Sequence, residues 1–244
     1  MTNNQLIKHS IFLKYGMLMN RRIFIRIFLA VTLVVMVNTA HAQRIKGALI
    51  AGFNLSQVDG DEVYGFKKFG FVGGPSAIIP LTSKWSVSLE TIFNQKGSHQ
   101  KKQYSDSSSL LGEKITGAYD LKLNYVEIPV LIHYEDRNTM TVGTGFSWGR
   151  LVGVKEWEHG RRTATDLSGP YKRNDIDWLF DLRIRVYQKL KFNLRYSYSI
   201  PEIRKREFTN VDGTRTWDRK QYNNYISFRL IYIFNEKLEN VKTK

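Results

Sequence analysis

Leu121-Lys122-Leu123-Asn124-Tyr125-Val126-Glu127-Ile128-Pro129-Val130-Leu131-Ile132-His133-Tyr134 is the stretch whose reading decides the fold. An extended chain turns successive side chains to opposite faces. Val126, Ile128, Val130, Ile132 and Tyr134 then share one apolar face, while Tyr125, Glu127, Pro129, Leu131 and His133 share a mixed one. Lys122 and Asn124 have the parity of the apolar set, so the strand is expected to bulge or leave the apolar layer there. A helix is excluded by Pro129 in mid-run and by the density of β-branched residues. Pro129 also lacks a ladder donor. Glu127 needs water or a cation beside it, because an isolated buried carboxylate is costly. A membrane barrel with a polar interior supplies both.

Outward from this strand the same rhythm repeats. Alternating runs are read over residues 44–54, 69–80, 85–96, 119–134, 140–155, 176–187, 191–200 and 221–234. In the third, Trp85, Val87, Leu89, Thr91 and Phe93 oppose Ser86, Ser88, Glu90, Asn94 and Lys96, with Ile92 the exception. In the fifth, Met140, Val142, Thr144, Phe146 and Trp148 oppose Thr141, Gly143, Gly145, Ser147 and Gly149. In the eighth, Ile231 and Ile233 blur the polar face. The connections alternate long and short, the long ones being read at 55–68, 97–118, 156–175 and 201–220. Eight strands with short turns at one end and long loops at the other are the pattern of an outer-membrane barrel. The runs have the roughly 9–11 residues a tilted crossing needs. Closure, with the first strand paired to the eighth, is the way such a sheet satisfies its backbone in lipid. Trp85, Tyr134, Tyr187 and Phe234 at the turn ends, and Tyr119, Trp178 and Tyr198 at the loop ends, are placed as aromatic girdles. A soluble sandwich or lipocalin-like barrel explains the alternation equally well, with the apolar parity inside. The N-terminus, the girdles and the loop pattern favour the membrane version.

That N-terminus reads as a secretory signal over residues 1–42. Arg21, Arg22 and Arg26 precede an uncharged run from Ile27 to Val37, and Ala40-His41-Ala42 is a cleavage site. The run is short of the ~20 residues of a spanning helix; an uncleaved anchor is the competing reading, and Met17 or Met19 is a candidate start. The barrel is assigned to 43–234 and a charged tail to 235–244. Removing Lys8, Lys14, Arg21, Arg22 and Arg26 takes the formal charge of the 244-residue chain from +15 to about +10. With a signal present, that balance points to anionic lipid headgroups rather than nucleic acid. No cysteine is present, which excludes disulfides and thiol chemistry.

Eight strands enclose a lumen just wide enough for side chains to fill. Glu90, Glu127 and Asp181 are expected to share it with Lys96, Arg183, Arg185, Arg195 and Arg229 as a salt-bridged plug, with a proton or solute path as the functional alternative. Catalytic motifs are weak. Gly145-Phe146-Ser147-Trp148-Gly149 matches a nucleophile elbow in letters but sits inside a strand with no helix after it. His99 and His159 are placed in loops and His133 near the turn end, none beside a serine and an orienting group. Asp59-Gly60-Asp61-Glu62 is too short for a calcium loop. No catalytic residue, cofactor, metal or small-molecule substrate is expected.

Three segments carry a resemblance. Gly52-Phe53-Asn54-Leu55-Ser56 with Gly60-Asp61, Glu90-Thr91-Ile92-Phe93-Asn94-Gln95-Lys96-Gly97, and Leu123-Asn124-Tyr125-Val126-Glu127-Ile128-Pro129 resemble PorT-type outer-membrane β-barrels. The likeness extends over nearly the whole chain after the signal, and its most distinctive piece is Asn-Tyr-x-Glu-Ile-Pro. The resemblance implies an eight-stranded Gram-negative outer-membrane barrel without catalytic residues. It also implies a role in protein export by a type IX secretion system; because the lumen is too narrow to pass a folded cargo, that role is expected to be exerted through contacts with other secretion proteins. The alternative is a structural or adhesive barrel whose outer loops bind lipopolysaccharide or host molecules; a lipid-modifying enzyme is a third, disfavoured by the histidine placement.

Overall fold

The computed structural model describes residues 45–104, 115–136, 139–164, 166–209 and 213–235. The signal segment 1–42 and the tail after Asn235 lie outside the described residues. The strands are β1 (Lys46–Asp59), β2 (Lys68–Pro80), β3 (Trp85–Glu90), β4 (Ile92–Gln100), β5 (Gln103–Tyr104), β6 (Ile115–Thr116), β7 (Tyr119–Asp136), β8 (Met140–Glu158), β9 (Arg161–Ala164), β10 (Asn174–Tyr187), β11 (Leu190–Ser199), β12 (Arg204–Thr209) and β13 (Thr216–Ile233).

All pairings are antiparallel, and they close. β1 pairs β2, β2 pairs β3 and β4, these pair β7, and β7, β8, β10, β11 and β13 follow in turn until β13 returns to β1. β3 and β4 are one spanning strand. Leu89 faces Val130 and Ile92 faces Glu127 in unbroken register, and the two rungs lost between them would fall on Pro129 and Ile128. Pro129 has no N–H to give, so the ladder lapses there without the strand bending away. The eight crossings therefore match the eight runs of the sequence. The ring is staggered: stepping from Lys46 through paired Ile78, Ser88, Leu131, Gly145, Leu179, Ser197 and Tyr225 returns to β1 at Ser56, ten residues along. Such a stagger sets the strand tilt and bore of a closed barrel.

The parity of the sequence fixes which face is which. Leu49, Phe71, Leu89, Val130, Phe146, Phe180 and Leu230 stand exposed on the outside, while Glu90, Glu127, Asp181, Arg195 and Arg229 are buried inside. An outward apolar belt with a charged interior is a lipid-facing barrel; a soluble barrel would be the reverse. Trp85 against Tyr134 and Tyr232 against Phe234 edge the turn end, and Trp178 against Tyr196 and Tyr198 against Tyr222 edge the loop end. Tyr119 is a correction to the girdle: it turns inward, 7% exposed, and its hydroxyl donates to Glu156 Oε1 at 2.9 Å.

The expected irregularity at Lys122 and Asn124 is a bulge. The β7–β8 register shifts between Asn124 and Tyr125, and both Lys122 and Asn124 remain on the outer face. Ile92 lies inside with its strand's polar set, 2% exposed.

The long connections are a second correction. β1 runs to Asp59, β4 to Gln100 and β8 to Glu158, and β13 begins at Thr216, while β5, β6, β9 and β12 lie within segments read as loop. Asp175 and His99 accordingly sit on strands. The apolar outer parity ends at the membrane boundary, but hydrogen bonding between strands continues into water. Asn235, assigned to the tail, ties the seam: its side chain accepts from the Gly47 amide at 2.9 Å and donates to Ile45 O at 2.8 Å.

Candidate functional site: a sealed, charged lumen and a basic crown

β8 contributes space to the lumen rather than bulk. Its inward face is Thr141, Gly143, Gly145, Ser147 and Gly149, across from the long side chains of its neighbours. Gly143 is required: a Cβ there would meet His133 Cδ2 at 2.2 Å. Four layers stack along the bore.

Nearest the turn end, Ala48, Ile50, Ile78, Ile231 and Ile233 form an apolar floor. The two isoleucines that blur the last strand's polar face are part of it. Below the floor, Glu135 receives Lys191 Nζ at 3.0 Å and Arg185 Nη2 at 3.5 Å. Arg185 thus leaves the expected lumen set and belongs to the turn-end rim.

Above the floor is an arginine cage. Glu90 binds Arg195 through two nitrogens at 2.9 and 3.0 Å, Arg183 at 3.2 Å and Arg229 at 3.1 Å. Asp181 binds the same three guanidiniums, with Arg195 Nε shortest and Arg183 Nη2 at 2.9 Å. Arg229 Nε also donates to Asn193 Oδ1 at 2.7 Å, and His133 Nε2 lies 3.4 Å from Asp181 Oδ2. Fork-shaped guanidiniums meet carboxylates bidentately, which is why arginine rather than lysine fills this layer.

The next layer is built round a single lysine. Lys96 Nζ lies 2.8 Å from Glu127 Oε1, closer still to Asp177 Oδ2, and 3.3 Å from Asp175 Oδ2. The rings of Tyr125 and Tyr225 flank it, each 4.8 Å away. Asn94 donates to Glu127 Oε2 at 2.9 Å and itself accepts from Asn54, while Asn223 donates to Asp175 Oδ2 at 2.7 Å. Asp175 and Asp177 are site residues the sequence reading missed. Asp177 carried the right parity, but Asp175 fell beyond the last apolar residue of its run. The segments 52–56, 90–97 and 123–129 converge here, bringing Asn54, Asn94, Lys96, Tyr125 and Glu127 into one connected group.

At the loop end, Val58, Leu121, Leu123, Leu151, Val154, Tyr171 and Ile203 pack into an apolar ceiling. Arg204 closes it, donating to Glu156 Oε1 at 3.0 Å and to the Tyr171 hydroxyl at 2.8 Å. Beside the ceiling, Asp61 accepts from the Val63 amide at 2.8 Å. Burial pushes this carboxyl up to about 6; the Ser98 side chain and the Val63 amide oppose the rise and Asp59 adds to it. Asp59 and Asp61 are occupied by such local hydrogen bonds, Asp59 also receiving Gln57 at 2.7 Å.

Beyond the ceiling the strands form a crown of outer hairpins. Arg161, Arg162, Arg173, Lys205, Arg219 and Lys220 are exposed on it. Ser147 faces the lumen from within β8, its hydroxyl without a hydrogen-bond partner among the described residues, and His133 and His99 are engaged by Asp181 and Asp120.

The sequence matches the family described as outer membrane protein beta-barrel domain over residues 42–203, about two thirds of the chain. No curated protein matches. Among solved structures the chain is similar to Ail, the attachment invasion locus protein of Yersinia pestis, at 12% identity and a TM-score of 0.43, covering 78% of this chain and 99% of that one. It is also similar to Neisserial surface protein A, at 12% identity and a TM-score of 0.44, covering 77% and 97% of the two chains. A third is the outer membrane protein OprG from Pseudomonas aeruginosa, at 12% identity and a TM-score of 0.38, covering 80% and 98%. The closed ring, the lipid-facing belt and the family match lead to one conclusion: the chain belongs to the outer-membrane β-barrel domain family and resides in the outer membrane.

Proposed function

We propose that this protein is a non-conducting, surface-anchored binding barrel that acts through its crown rather than its bore. The observation that carries the reading is the exposed cationic set on the outer hairpins, above a lumen blocked by an apolar floor, an arginine cage and an apolar ceiling. A basic crown standing above the membrane suits anionic polymers, either the sugar chains of lipopolysaccharide or host molecules, and raises their rate of capture. Surface charges of this kind act collectively, and salt screens them. The test is binding of a soluble sulfated polysaccharide to the detergent-solubilised barrel. R161E/R162E/R173E is expected to bind at least tenfold more weakly, and wild-type binding is expected to fall with salt. Equal binding by the variant sinks the reading.

A second reading follows the resemblance of the three converging segments: a barrel needed by a type IX-like protein export machine. A filled bore would pass no cargo, so the role would be exerted through contacts with other secretion proteins. Deleting the gene is then expected to trap surface proteins in the periplasm. Normal surface display in the deletion strain would eliminate this role and leave the first reading untouched.

A further inference from the structure

The outer wall of the barrel carries cations where its apolar belt ends. Arg150 points outward from β8 and is paired with Val126, the last apolar residue of the outward face of β7. Farther out, past the bulge, Lys122 and Lys155 are direct cross-strand partners on the same outer face. Arg162 of β9 stands beside Trp157 of β8. From Arg150 to Lys155 the strand rises about 16 Å at roughly 3.3 Å per residue.

Two lysines directly opposite each other in an antiparallel pair repel. Nearby carboxylates do not relieve them. Asp120, on the same face of β7, is held by Lys68 Nζ at 2.6 Å and His99 Nδ1 at 2.9 Å. Glu156 turns inward to Tyr119 and Arg204, and Glu158 is held by Arg206 at 2.6 Å. Among the described residues Lys122, Lys155 and Arg162 make no ion pair, and Arg150 donates only to the neutral Asn174 at 2.8 Å.

We propose that Arg150, Lys122, Lys155 and Arg162 form a ladder that binds the phosphorylated sugar headgroup of the anionic outer-leaflet glycolipid, lipopolysaccharide, along the β7–β8 wall. The ladder starts at the hydrocarbon edge, so its occupant must be a lipid whose acyl chains lie against the belt below. Its length suits a headgroup carrying several anionic groups in succession rather than one phosphodiester. An anion between Lys122 and Lys155 turns their repulsion into a shared attraction. Apart from Arg162, which the crown shares, this surface lies on the β7–β8 wall rather than on the outer hairpins, and it goes beyond the reading above.

The experiment uses the full-length processed barrel in neutral detergent. Heat-unfolding midpoints and binding are measured with lipopolysaccharide, with phosphatidylglycerol at equal charge, and with inorganic phosphate. Wild type is expected to gain stability from lipopolysaccharide and to bind it at least tenfold more tightly than phosphatidylglycerol, with inorganic phosphate ineffective. K122Q/K155Q is expected to lose at least tenfold in glycolipid affinity while unfolding no earlier than wild type in detergent alone, since it sheds a repulsion. K122R/K155R is expected to restore binding. Equal response to all three anions, or unchanged affinity in K122Q/K155Q, overturns the proposal. R161E/R162E/R173E, which tests the crown and removes one rung, is expected to keep most affinity for a truncated lipopolysaccharide that lacks the outer sugar chains, through Lys122 and Lys155; its total loss of that affinity would overturn the assignment of the ladder's centre.

Discussion

The cage and the lysine layer occupy neighbouring levels of one bore, yet they solve the burial of charge in opposite ways. In the cage three guanidiniums, Arg183, Arg195 and Arg229, enclose two carboxylates, Glu90 and Asp181. In the other layer three carboxylates, Glu127, Asp175 and Asp177, converge on the one ammonium of Lys96. The cage has excess cation and dense bidentate contact. The lysine layer has excess acid and leaves Asp175 Oδ1 and Asn223 Oδ1 without hydrogen bonds among the described residues. A guanidinium cannot shed its proton, whereas a carboxyl can take one up. The cage therefore has no chemical escape when a partner is lost, and the lysine layer does.

Glu90→Gln is the largest expected effect. It leaves three guanidiniums round Asp181 alone, and breaking a buried ionic cluster by removing one partner costs about 3–5 kcal/mol. Urea or heat unfolding of the detergent-solubilised barrel measures it. A midpoint within error of wild type would show that the cage is solvated and that the layered picture is wrong. Lys96→Met comes next. It strands three carboxylates and removes the ammonium between two tyrosine rings, but proton uptake by a carboxyl limits the loss, so the variant is expected to unfold later than Glu90→Gln. The reverse order would overturn the contrast between the layers.

Glu127 separates the two designs most cleanly. Glu127→Gln keeps a side-chain acceptor for Asn94 and removes one unit from a layer already rich in acid, so it is expected to cost less than about 1 kcal/mol. Glu127→Ala also removes the acceptor of Asn94 and Tyr225, and it is expected to lower the heat stability by about 1–3 kcal/mol without opening an ion current. A new current in planar bilayers from Glu127→Ala would mean that the lysine layer, rather than the floor and ceiling, holds the bore shut.

The architecture was legible where one physical rule governs many residues. Parity assigned the outside and the inside of all eight crossings, and Pro129 and Glu127 announced a lapse in the ladder and a cation nearby. Lys96 answered the second, although nothing in its own segment names Glu127 as partner. What was not legible depends on register between distant strands. Arg183 and Arg185 share a parity two residues apart, yet the first joins the cage and the second the rim, because only the stagger of the ring places Glu90 level with Arg183. Asp175 was hidden because strand ends were read from where apolar residues stop. Tyr119 has the inward parity of Leu121 and Leu123, and that signal outweighs its end-of-strand position.

Asp61 extends the comparison to a buried carboxyl that forms no ion pair among the described residues. It sits at the mouth of the bore, in the turn after β1, with the Val63 amide as its donor. Burial raises it to about 6 from the ordinary value near 3.8, more than Asp59 does by repulsion. A carboxyl raised on folding favours the folded turn while protonated. Its contribution is complete below about pH 4 and is lost as pH rises through about 6. The whole shift corresponds to roughly 3 kcal/mol. The turn can open without unfolding the barrel, however, which limits the visible effect on global stability to about 1 kcal/mol or less. Hydrogen exchange of the Val63 amide is the sharper readout: protection is expected to fall between pH 4 and pH 7 beyond the intrinsic change in exchange rate. Asp61→Asn is expected to flatten that dependence. A wild-type profile that follows the intrinsic rate alone would mean that water reaches Asp61, and that the ceiling beside it ends lower in the bore than Val58 and Tyr119 indicate.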